Sequence, residues 1–489
     1  MSSYDAIFLT ESGHPSILYR GYGAHRLASH LRERGFSCLV LDFCADLNFE
    51  QWKEICEHAV GENTKILSIS STWLPYRIPN GPVGKFLNPT SNKDVTLETL
   101  YPNKGFVYDL IKNDTKPWFD VIKSRSPKIK ILMGGPKIDF YSDIPVDHFM
   151  VGLGETQLMD FLTDKKRIWP KYIDHDVNAQ SPSWDFGFSR TFYQEEDFIH
   201  SDETLSLEFA RGCRFKCSFC SFPLIGQKDL SKYIKDKDTL YKELMENYDK
   251  WGITKYWCAD DTLNDSIEKL EQIASVTRRL PFKLKMRAYT RLDVMVTQPD
   301  QVDLLKEIGL VSTWIGLETL HEKASKVVGK GMDPEKRKAM LVELRKKWGQ
   351  DVYVDAGYIV GLPYEDSESI KKSVEFSLQK DNVIDHLQLQ PLILNPKGGG
   401  FPYTARSDMD LNYKNYGYDI LDMSKPNSWI KDDGTDIKSM SDAVSLAYDL
   451  QKHLDQHEDK SRSSFDLEVK NMNSKDYYHS LIKFLKENH

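Results

Sequence analysis

The chain has 489 residues, with 65 Lys and Arg against 73 Asp and Glu, and a formal net charge of −8. This balance excludes a strongly basic protein that binds nucleic acid by charge alone. Hydrophobic residues make up 40% of the chain, and no apolar run reaches the roughly 18–20 residues that span a bilayer. The first residues lack the pattern of a signal peptide, and 7 cysteines are too few for a disulfide scaffold. We therefore expect a cytoplasmic protein with no membrane partner.

The first 165 residues alternate short apolar runs with amphipathic stretches. Strands are predicted at residues 6–10, 37–43, 65–71, 130–135 and 148–154, and helices at 23–34 and 117–125. This alternation predicts an α/β domain over residues 1–165, with a Rossmann-like, doubly wound parallel sheet. Residues 74–105, rich in Pro, Asn and Gly, interrupt the pattern as a long loop, and loops of that length are usually functional or disordered.

Residues 166–200 are predicted to be a linker to a second alternating region. Its strands are predicted at 205–210, 255–259, 283–289, 312–317, 353–360 and 386–392, with helices such as 265–279, 334–347 and 366–379 between them. Each interval holds one βα unit, so residues 201–400 are predicted to form a partial (β/α)6 barrel of the TIM type. Residues 401–489 are predicted to form a small, mainly helical region, with helices at 437–456 and 475–487.

Three cysteines lie close together after the first strand of the second region. Cys213, Cys217 and Cys220 are spaced C-x3-C-x2-C. Three thiolates on one loop favour a metal group. A structural zinc site is the alternative, but zinc usually takes four closed ligands from two C-x2-C pairs, and the sequence has no second pair. An iron–sulfur cubane held by only three thiolates keeps one iron open to a non-protein ligand, which a catalytic cluster needs.

The motif C-x3-C-x-aromatic-C at the end of a first barrel strand resembles the signature of the radical S-adenosylmethionine (SAM) enzymes. The resemblance implies a [4Fe–4S] cluster on Cys213, Cys217 and Cys220, with SAM on its open iron and Phe219 packed beside SAM. In this family one electron, from a donor such as flavodoxin or ferredoxin, cleaves SAM to a 5′-deoxyadenosyl radical. The position also fits, because active sites of βα barrels lie at the C-terminal ends of the strands.

Further matches to this family follow the later barrel strands. Asp260 and Asp261 end the second strand, where the family places the acidic motif that receives the SAM amino group. Arg291 follows the third strand, and Glu318 ends the fourth as a partner for polar groups of SAM. Simpler alternatives stay open for each. The three acidic residues are also suited to cap helices, and Arg291 to form a surface salt bridge.

The fifth strand carries the segment Gly-Tyr-Ile-Val-Gly-Leu-Pro, which ends at Gly361 and Pro363. This segment resembles the family motif that lines the adenosine pocket. The resemblance therefore adds Gly361 and Pro363 to the residues expected to bind the cofactor.

The branch of the family with these motifs usually carries an N-terminal cobalamin-binding-like domain, and residues 1–165 resemble one. Residues 151–155 match the end of its fifth strand. Two loops that embrace the nucleotide tail of cobalamin are matched by small residues. These residues are Ser68, Ser70, Gly134 and Gly135.

The position of Arg20 leaves cobalamin binding open. Cobalamin enzymes with a histidine ligand use Asp-x-His-x-x-Gly, and register with Gly23 and Gly35 places Arg20 at the His position. A permanently charged guanidinium is not a cobalt ligand. In one alternative, cobalamin binds without a protein ligand and its methyl group passes to a substrate carbon radical. In the other, the domain is a relic, and Arg20 pairs with an acidic side chain or with residues 74–105.

The sequence thus predicts a radical SAM enzyme that abstracts hydrogen from a substrate the chain does not identify, with C-methylation if cobalamin binds. A cobalamin-independent enzyme is the first alternative. A non-enzymatic iron–sulfur sensor or electron carrier is the second. Such a carrier protects its cluster with four ligands, whereas here three cysteines are clustered. A nucleic-acid partner is not indicated.

Overall fold

The structure is a computed structural model. It describes residues 3–11, 20–72, 74, 97–135, 138–164, 168–174, 186–221, 233–396, 406–422, 428–457 and 474–488. Most of the predicted loop 74–105, residues 75–96, lies outside the described residues. Within those ranges, no helix has both the length and the apolar character needed to cross a membrane.

Six parallel strands form the first sheet, in the order β2-β1-β3-β4-β5-β6. The order changes direction between β1 and β3, which is where ligands of open α/β sheets bind, at the carboxyl ends of the strands. The predicted doubly wound sheet is confirmed. The strands are β1 Ala6–Leu9, β2 Cys38–Leu41, β3 Ile66–Ser70, β4 Lys130–Gly134, β5 His148–Val151 and β6 Tyr172–Asp174.

Helices cover both faces of the first sheet because each presents an apolar stripe to it. In the first helix, Ala24, Ala28 and Leu31 recur at helical spacing and are 2% exposed or less. Asn48 and Gln51 start the second helix with a reciprocal capping box. One face holds α1 Tyr22–Arg32 and α6 Gly154–Thr163, and the other holds α2 Phe49–Ala59, α3 Leu97–Leu100, α4 Phe106–Lys112 and α5 Lys116–Arg125.

The stretch predicted as a linker, residues 166–200, also contains strand β6, which pairs in parallel with β5. Two 3-10 turns follow, Phe186–Phe188 and Glu195–Asp197. This stretch packs on α1, where Ser29 donates to the carbonyl of Phe192. The described part of this stretch is therefore packed against the first sheet and its helices.

Six further parallel strands form the second sheet in strict chain order, from β7 to β12. Helices on the outer face make it an open βα barrel, which confirms the predicted fold class. The strands are β7 Thr204–Leu207, β8 Lys255–Cys258, β9 Lys285–Thr290, β10 Leu310–Glu318, β11 Tyr353–Val360 and β12 His386–Pro391. The helices are α7 Lys237–Trp251, α8 Ile267–Thr277, α9 Leu292–Thr297, α10 Gln301–Glu307, α11 Glu322–Val327, α12 Pro334–Trp348 and α13 Ser367–Ser377.

The C-terminal region packs on both sheets. Its first part covers β11 and β12 of the barrel, and it also contains a short antiparallel strand pair. The last helix returns to the first sheet, where Tyr477, Tyr478 and Leu481 join the core beside α2. The elements are α14 Asp408–Leu411, β13 Tyr418–Ile420, β14 Trp429–Lys431, α15 Met440–Asp455 and α16 Ser474–Asn488.

Candidate active site at the carboxyl ends of two sheets

The three clustered cysteines lie on the loop that leaves strand β7. Cys213 and Cys217 are 6% and 7% exposed, and Cys220 is half-buried. None of the three forms a disulfide with another cysteine that the structure describes. Among the described residues, no three His, Cys, Asp or Glu side chains meet at one point suited to a single metal ion.

The base of this loop is fastened to the next strand by Asp260. Its Oδ1 accepts the backbone N–H groups of Phe209 and Ala210, at 2.7 and 3.0 Å. Its Oδ2 lies 3.4 Å from the buried Lys269 ammonium. The carboxylate therefore holds the chain just before the cysteines. Its predicted contact with SAM stays a prediction.

Asp261 differs from Asp260 because its side chain makes no hydrogen bond within the part of the chain that the structure describes. Burial, together with the charges of Asp260 and Glu208, raises the pKa of Asp261 to about 7. A carboxylate that is costly to ionise alone is stabilised by a cation placed beside it. Asp261 is thus the better suited of the two residues to receive the SAM amino group.

Arg291 contacts the cysteine loop directly. Its Nη1 donates to Cys217 Sγ at 2.9 Å, and its guanidinium lies 3.8 Å from the centre of the Phe215 ring. Nε and Nη2 bond both oxygens of Asp293, at 3.1 and 2.6 Å. Arg291 is 5% exposed, so this is a buried contact to a sulfur and not a surface salt bridge. Hydrogen bonds to ligand sulfurs help to set the potential of an iron–sulfur cluster.

Glu318 lies at the carboxyl end of β10 with a positive φ of 61°, which is uncommon for a residue with a side chain. Its Oε1 is 3.7 Å from Lys330 Nζ, and Lys330 also donates to the carbonyl of Gly316. Burial raises the pKa of Glu318, while Lys330 and Arg291 oppose the rise. The carboxylate therefore lies among cations at the barrel mouth and does not cap a helix.

Gly361 and Pro363 follow β11, and both are buried. Gly361 has a φ of 101°, and a Cβ there would lie 2.9 Å from the Trp429 ring of the C-terminal region. Phe219, between the last two cysteines, is half-buried against the barrel core. The structure thus brings Phe219 to the cysteine loop, while Gly361 is in contact with the C-terminal region.

The interior of the barrel is partly open. Successive side chains on a strand point to opposite faces, and the outward-facing Cys258 and Ala288 are fully buried under helices. Inward-facing Tyr289 is 38% exposed, and Trp257 and Trp314 are half-buried. The Trp257 and Tyr289 rings meet edge to face, with centroids 5.3 Å apart. An aromatic-lined space therefore lies inside the barrel.

The first sheet presents a shelf of small residues at the carboxyl ends of β3 and β4. Ser70, Gly134 and Gly135 are half-buried there, and Ser68, two residues before Ser70 on β3, is buried. Gly135 has a φ of 110°, and a Cβ would lie 2.8 Å from Ser71 Oγ. Only glycine fits this approach, so the backbone stays accessible. Three of the four predicted residues thus lie on the adjacent strands β3 and β4, and Gly135 directly follows β4.

Arg20 lies in a buried joint between the first sheet and the barrel. Its Nε and Nη2 bond both oxygens of Glu203, just before β7, at 2.7 and 2.8 Å. Nη1 bonds Asp42 at 3.0 Å and the carbonyl of Asp197 at 2.6 Å, and Nη2 also bonds the carbonyl of Phe198. These bonds use all five N–H groups of the guanidinium. Its predicted place at a cofactor stays a prediction.

Two side chains join the carboxyl edges of the two sheets. Glu155, 3% exposed, begins α6 directly after β5. Its Oε1 lies 2.7 Å from Nη2 of Arg211, which stands two residues before Cys213. The cysteine loop and the carboxyl edge of the first sheet therefore face a common region. Sequence patterns did not indicate this pair, because its members lie 56 residues apart.

Comparison with known proteins identifies the second region. Residues 207–377 match the radical SAM superfamily. A region of 203 residues is 28% identical to the anaerobic magnesium-protoporphyrin IX monomethyl ester cyclase of Cereibacter sphaeroides, over 40% of this chain and 31% of that protein. A region of 179 residues is 24% identical to an uncharacterized methyltransferase of Pyrococcus horikoshii, over 37% of each chain. The chain thus spans only about a third of the length of these relatives.

Two solved structures share the fold of nearly the whole chain. One is the radical SAM methyltransferase TsrM from Kitasatospora setae with cobalamin and [4Fe–4S] cluster bound, with a TM-score of 0.63 at 13% identity over 99% of this chain and 100% of that one. The other is the cobalamin-dependent radical SAM enzyme OxsB, with a TM-score of 0.51 at 14% identity over 98% of this chain and 66% of that one.

The match over residues 207–377, which include the cysteine loop, defines this part of the chain as a radical SAM domain. A [4Fe–4S] cluster and SAM are the cofactors that such a domain implies. The two-sheet architecture of the chain is shared with these two solved structures.

Proposed function

We propose that this protein cleaves SAM reductively to abstract hydrogen from a substrate, and that it methylates the resulting carbon with the help of cobalamin. The observation that carries the proposal is the Glu155–Arg211 contact at 2.7 Å. It joins the carboxyl edge of the first sheet to the cysteine loop. A cofactor on the first sheet and SAM on the barrel would therefore face each other.

Cys213, Cys217 and Cys220 would hold the [4Fe–4S] cluster. When bound, the cluster supplies the electron that cleaves SAM to methionine and a 5′-deoxyadenosyl radical. Arg291 holds one thiolate through its bond to Cys217 and stays charged beside Asp293. Asp260 orients the loop from below through two backbone N–H groups. An electron donor such as flavodoxin or ferredoxin is required.

The SAM amino group would be received by Asp261, whose carboxylate faces no recorded hydrogen-bond donor among the described residues and carries the charge opposite to an ammonium. Glu318, at the end of β10, would accept hydrogen bonds from the sugar or the amino acid part of SAM. The nearby Lys330 ammonium would stabilise the ionised carboxylate. Phe219 would pack against SAM beside the cluster. These roles match side-chain chemistry to the parts of SAM.

Cobalamin fits the shelf of Ser70, Gly134 and Gly135, because the small residues leave backbone accessible where sheets of this topology bind ligands. When bound, cobalamin supplies a methyl group for transfer to carbon. His25 and Arg20 are not exposed to a ligand on the first sheet, since His25 is 0% exposed, with Nε2 on Asp42 and Nδ1 3.9 Å from Asp197, and the Arg20 guanidinium is charged and has used its donors. Binding without a ligand from either residue is therefore proposed.

The substrate would enter the aromatic-lined space inside the barrel. Trp257, Tyr289 and Trp314 line it, and the Trp257 and Tyr289 rings meet edge to face. A substrate bound there would displace water from these side chains, which protects a radical from side reactions.

The burial of His25 and Arg20 between the first sheet and the barrel equally favours a second candidate, a cobalamin-independent radical SAM enzyme. Titration of anaerobically reconstituted protein with hydroxocobalamin decides between the two. Micromolar binding without a histidine-ligation spectrum is the expected result. No binding at high micromolar concentration would remove the methylation step and leave the second candidate. In both cases, adding SAM should change the EPR spectrum of the reduced cluster, and an unchanged spectrum would contradict both.

A further inference from the structure

A buried group of four charges lies where the first sheet meets the cysteine loop. Arg211 bonds Glu155 of α6 and both oxygens of Glu208, at 2.5 and 3.1 Å to the latter. Arg26 of α1 approaches Glu155 at 3.9 Å. The side chains of Glu155 and Arg26 are 3% and 2% exposed, and those of Arg211 and Glu208 are 11% and 10% exposed. Two guanidinium groups and two carboxylates therefore share a nearly dry space.

The charges of this group balance. Burial alone would raise the pKa of Glu155, but Arg211 and Arg26 lower it to about 2, so it is ionised at neutral pH. Arg211 is positively charged because a guanidinium stays protonated in proteins, and it bonds both Glu155 and Glu208. With Arg26 also charged, the group has two positive and two negative members and no net charge. Neutralising any one of these four side chains leaves a single unbalanced charge at a buried position, where salt and water screen it poorly.

This group of charges contacts the residues that directly precede the cysteine loop. Glu208 and Arg211 flank Phe209 and Ala210, which Asp260 holds from the barrel side. Arg211 also donates its backbone N–H to Tyr233 and lies over the Phe186 ring at 5.1 Å. From the first domain, Glu155 bonds Arg211, and the Tyr22 hydroxyl donates to Glu208 Oε2 at 3.4 Å. The loop is thus tied to both domains within two residues of Cys213.

We propose that Arg211 is a positioning residue through which the N-terminal domain, by way of Glu155, fixes the cysteine loop and sets the electrostatic environment of its cluster. This inference rests on the proposed function only in that the three cysteines hold an iron–sulfur cluster. It assigns the N-terminal domain a role that does not depend on whether cobalamin is bound.

The physical consequence is a pair of opposite shifts. A cluster on three thiolates becomes more negative by one charge when it is reduced, so a nearby positive charge stabilises the reduced form. Glu155→Gln leaves an extra positive charge and should raise the midpoint potential. Arg211→Gln leaves an extra negative charge and should lower it. A purely structural loosening of the loop has no reason to shift the two variants in opposite directions.

The experiment is an EPR-monitored redox titration of reconstituted full-length protein, without cobalamin and without SAM. Glu155→Gln and Arg211→Gln are compared with native protein and with Asp160→Asn. Asp160 is an exposed carboxylate on the same helix, so this control removes one charge from α6 away from the loop. Opposite shifts, each larger than that of the control, are expected.

Shifts in the same direction, or no larger than the control shift, would overturn the proposal. Should Arg211→Gln fail to fold, Glu155→Gln against Asp160→Asn decides alone, with an upward shift supporting the proposal and no shift overturning it. If native protein binds no cluster under these conditions, the proposed function fails instead. That failure is distinguishable because it is seen before any variant is compared.

Discussion

Replacing Arg20 tests how the two domains are held together. Arg20 is 3% exposed, and its five N–H groups all bond, to Glu203, Asp42 and two backbone carbonyls. Arg20→Met would keep much of the side-chain volume but leave two carboxylates without their cation. Breaking a buried ion pair by removing one partner costs about 3–5 kcal/mol. We therefore expect a loss of this size in the transition that separates the domains.

The last helix should report this loss. The Arg20 guanidinium lies 5.8 Å from the Tyr477 ring, and Tyr478 donates to the Asp42 carbonyl. Urea unfolding followed by fluorescence gives the loss in free energy, and hydrogen exchange in Ser474–Asn488 shows whether α16 opens first. Because a chain with several domains does not unfold in one two-state step, the free energy is taken from the first unfolding transition in urea.

The matched control is Arg278→Met, which removes an exposed pair with Glu307. It should leave both readouts close to those of native protein, since exposed ion pairs contribute little. Arg20→Lys, which keeps the charge but loses the planar fork, should fall between the two. An Arg20→Met variant as stable as Arg278→Met, with unchanged exchange in α16, would refute the role of Arg20 as an interdomain joint.

Three further predictions concern single side chains. In cofactor-free protein, Asp261→Asn should be more stable than native protein, and the difference should grow as pH rises from 5 to about 7 and then stay constant. The reason is that native Asp261 has a raised pKa, so the native protein loses stability as this acid ionises. A pH-independent difference in thermal midpoint would contradict this. In cluster-loaded protein, the same variant should bind SAM roughly tenfold to a hundredfold more weakly in equilibrium dialysis, from about 1.5–3 kcal/mol for a hydrogen bond to a charged group; unchanged affinity would remove Asp261 from the site. Gly135→Ala should abolish hydroxocobalamin binding because a Cβ would lie 2.8 Å from Ser71 Oγ, whereas Gly331→Ala, with nothing within 4 Å, should not; equal binding by both would argue against the shelf.

The regular elements named in advance follow from local pattern. Each lies within three residues of its predicted bounds, since apolar periodicity and caps such as Asp333 before Pro334 act over a few residues. Strand β6 was beyond such reasoning, because its three residues are too few to show a period. The domain limits themselves stay predictions.

The contacts that define the site depended on distant partners. The cysteine spacing alone indicated the cluster loop, because few other uses of three close thiolates exist. The ion pair of Glu155 with Arg211 and the joint between Arg20 and Glu203 span 56 and 183 residues. No local signal connects such positions. Charged residues directly after a strand or before a cysteine motif were the only hint available.

Asp260 shows how one motif divides into two roles. Both carboxylates were expected at the SAM amino group, yet Asp260 is held by two backbone N–H groups and Lys269. Adjacent residues at a strand end point in different directions, so one faces the loop root while the other keeps a carboxylate with no recorded hydrogen bond among the described residues. Spacing identified the pair, and only the structure separated them.

The central claim is that the cysteine loop supports reductive cleavage of SAM. The most direct measurement is the 5′-deoxyadenosine released when anaerobically reconstituted protein is reduced with dithionite in the presence of SAM, quantified by mass spectrometry. The account predicts 5′-deoxyadenosine and methionine in equal amounts from native protein, and none from the variant with Cys213, Cys217 and Cys220 all changed to Ala. Native protein that binds four irons and yet releases no 5′-deoxyadenosine, or a triple variant that releases as much as native protein, would contradict it.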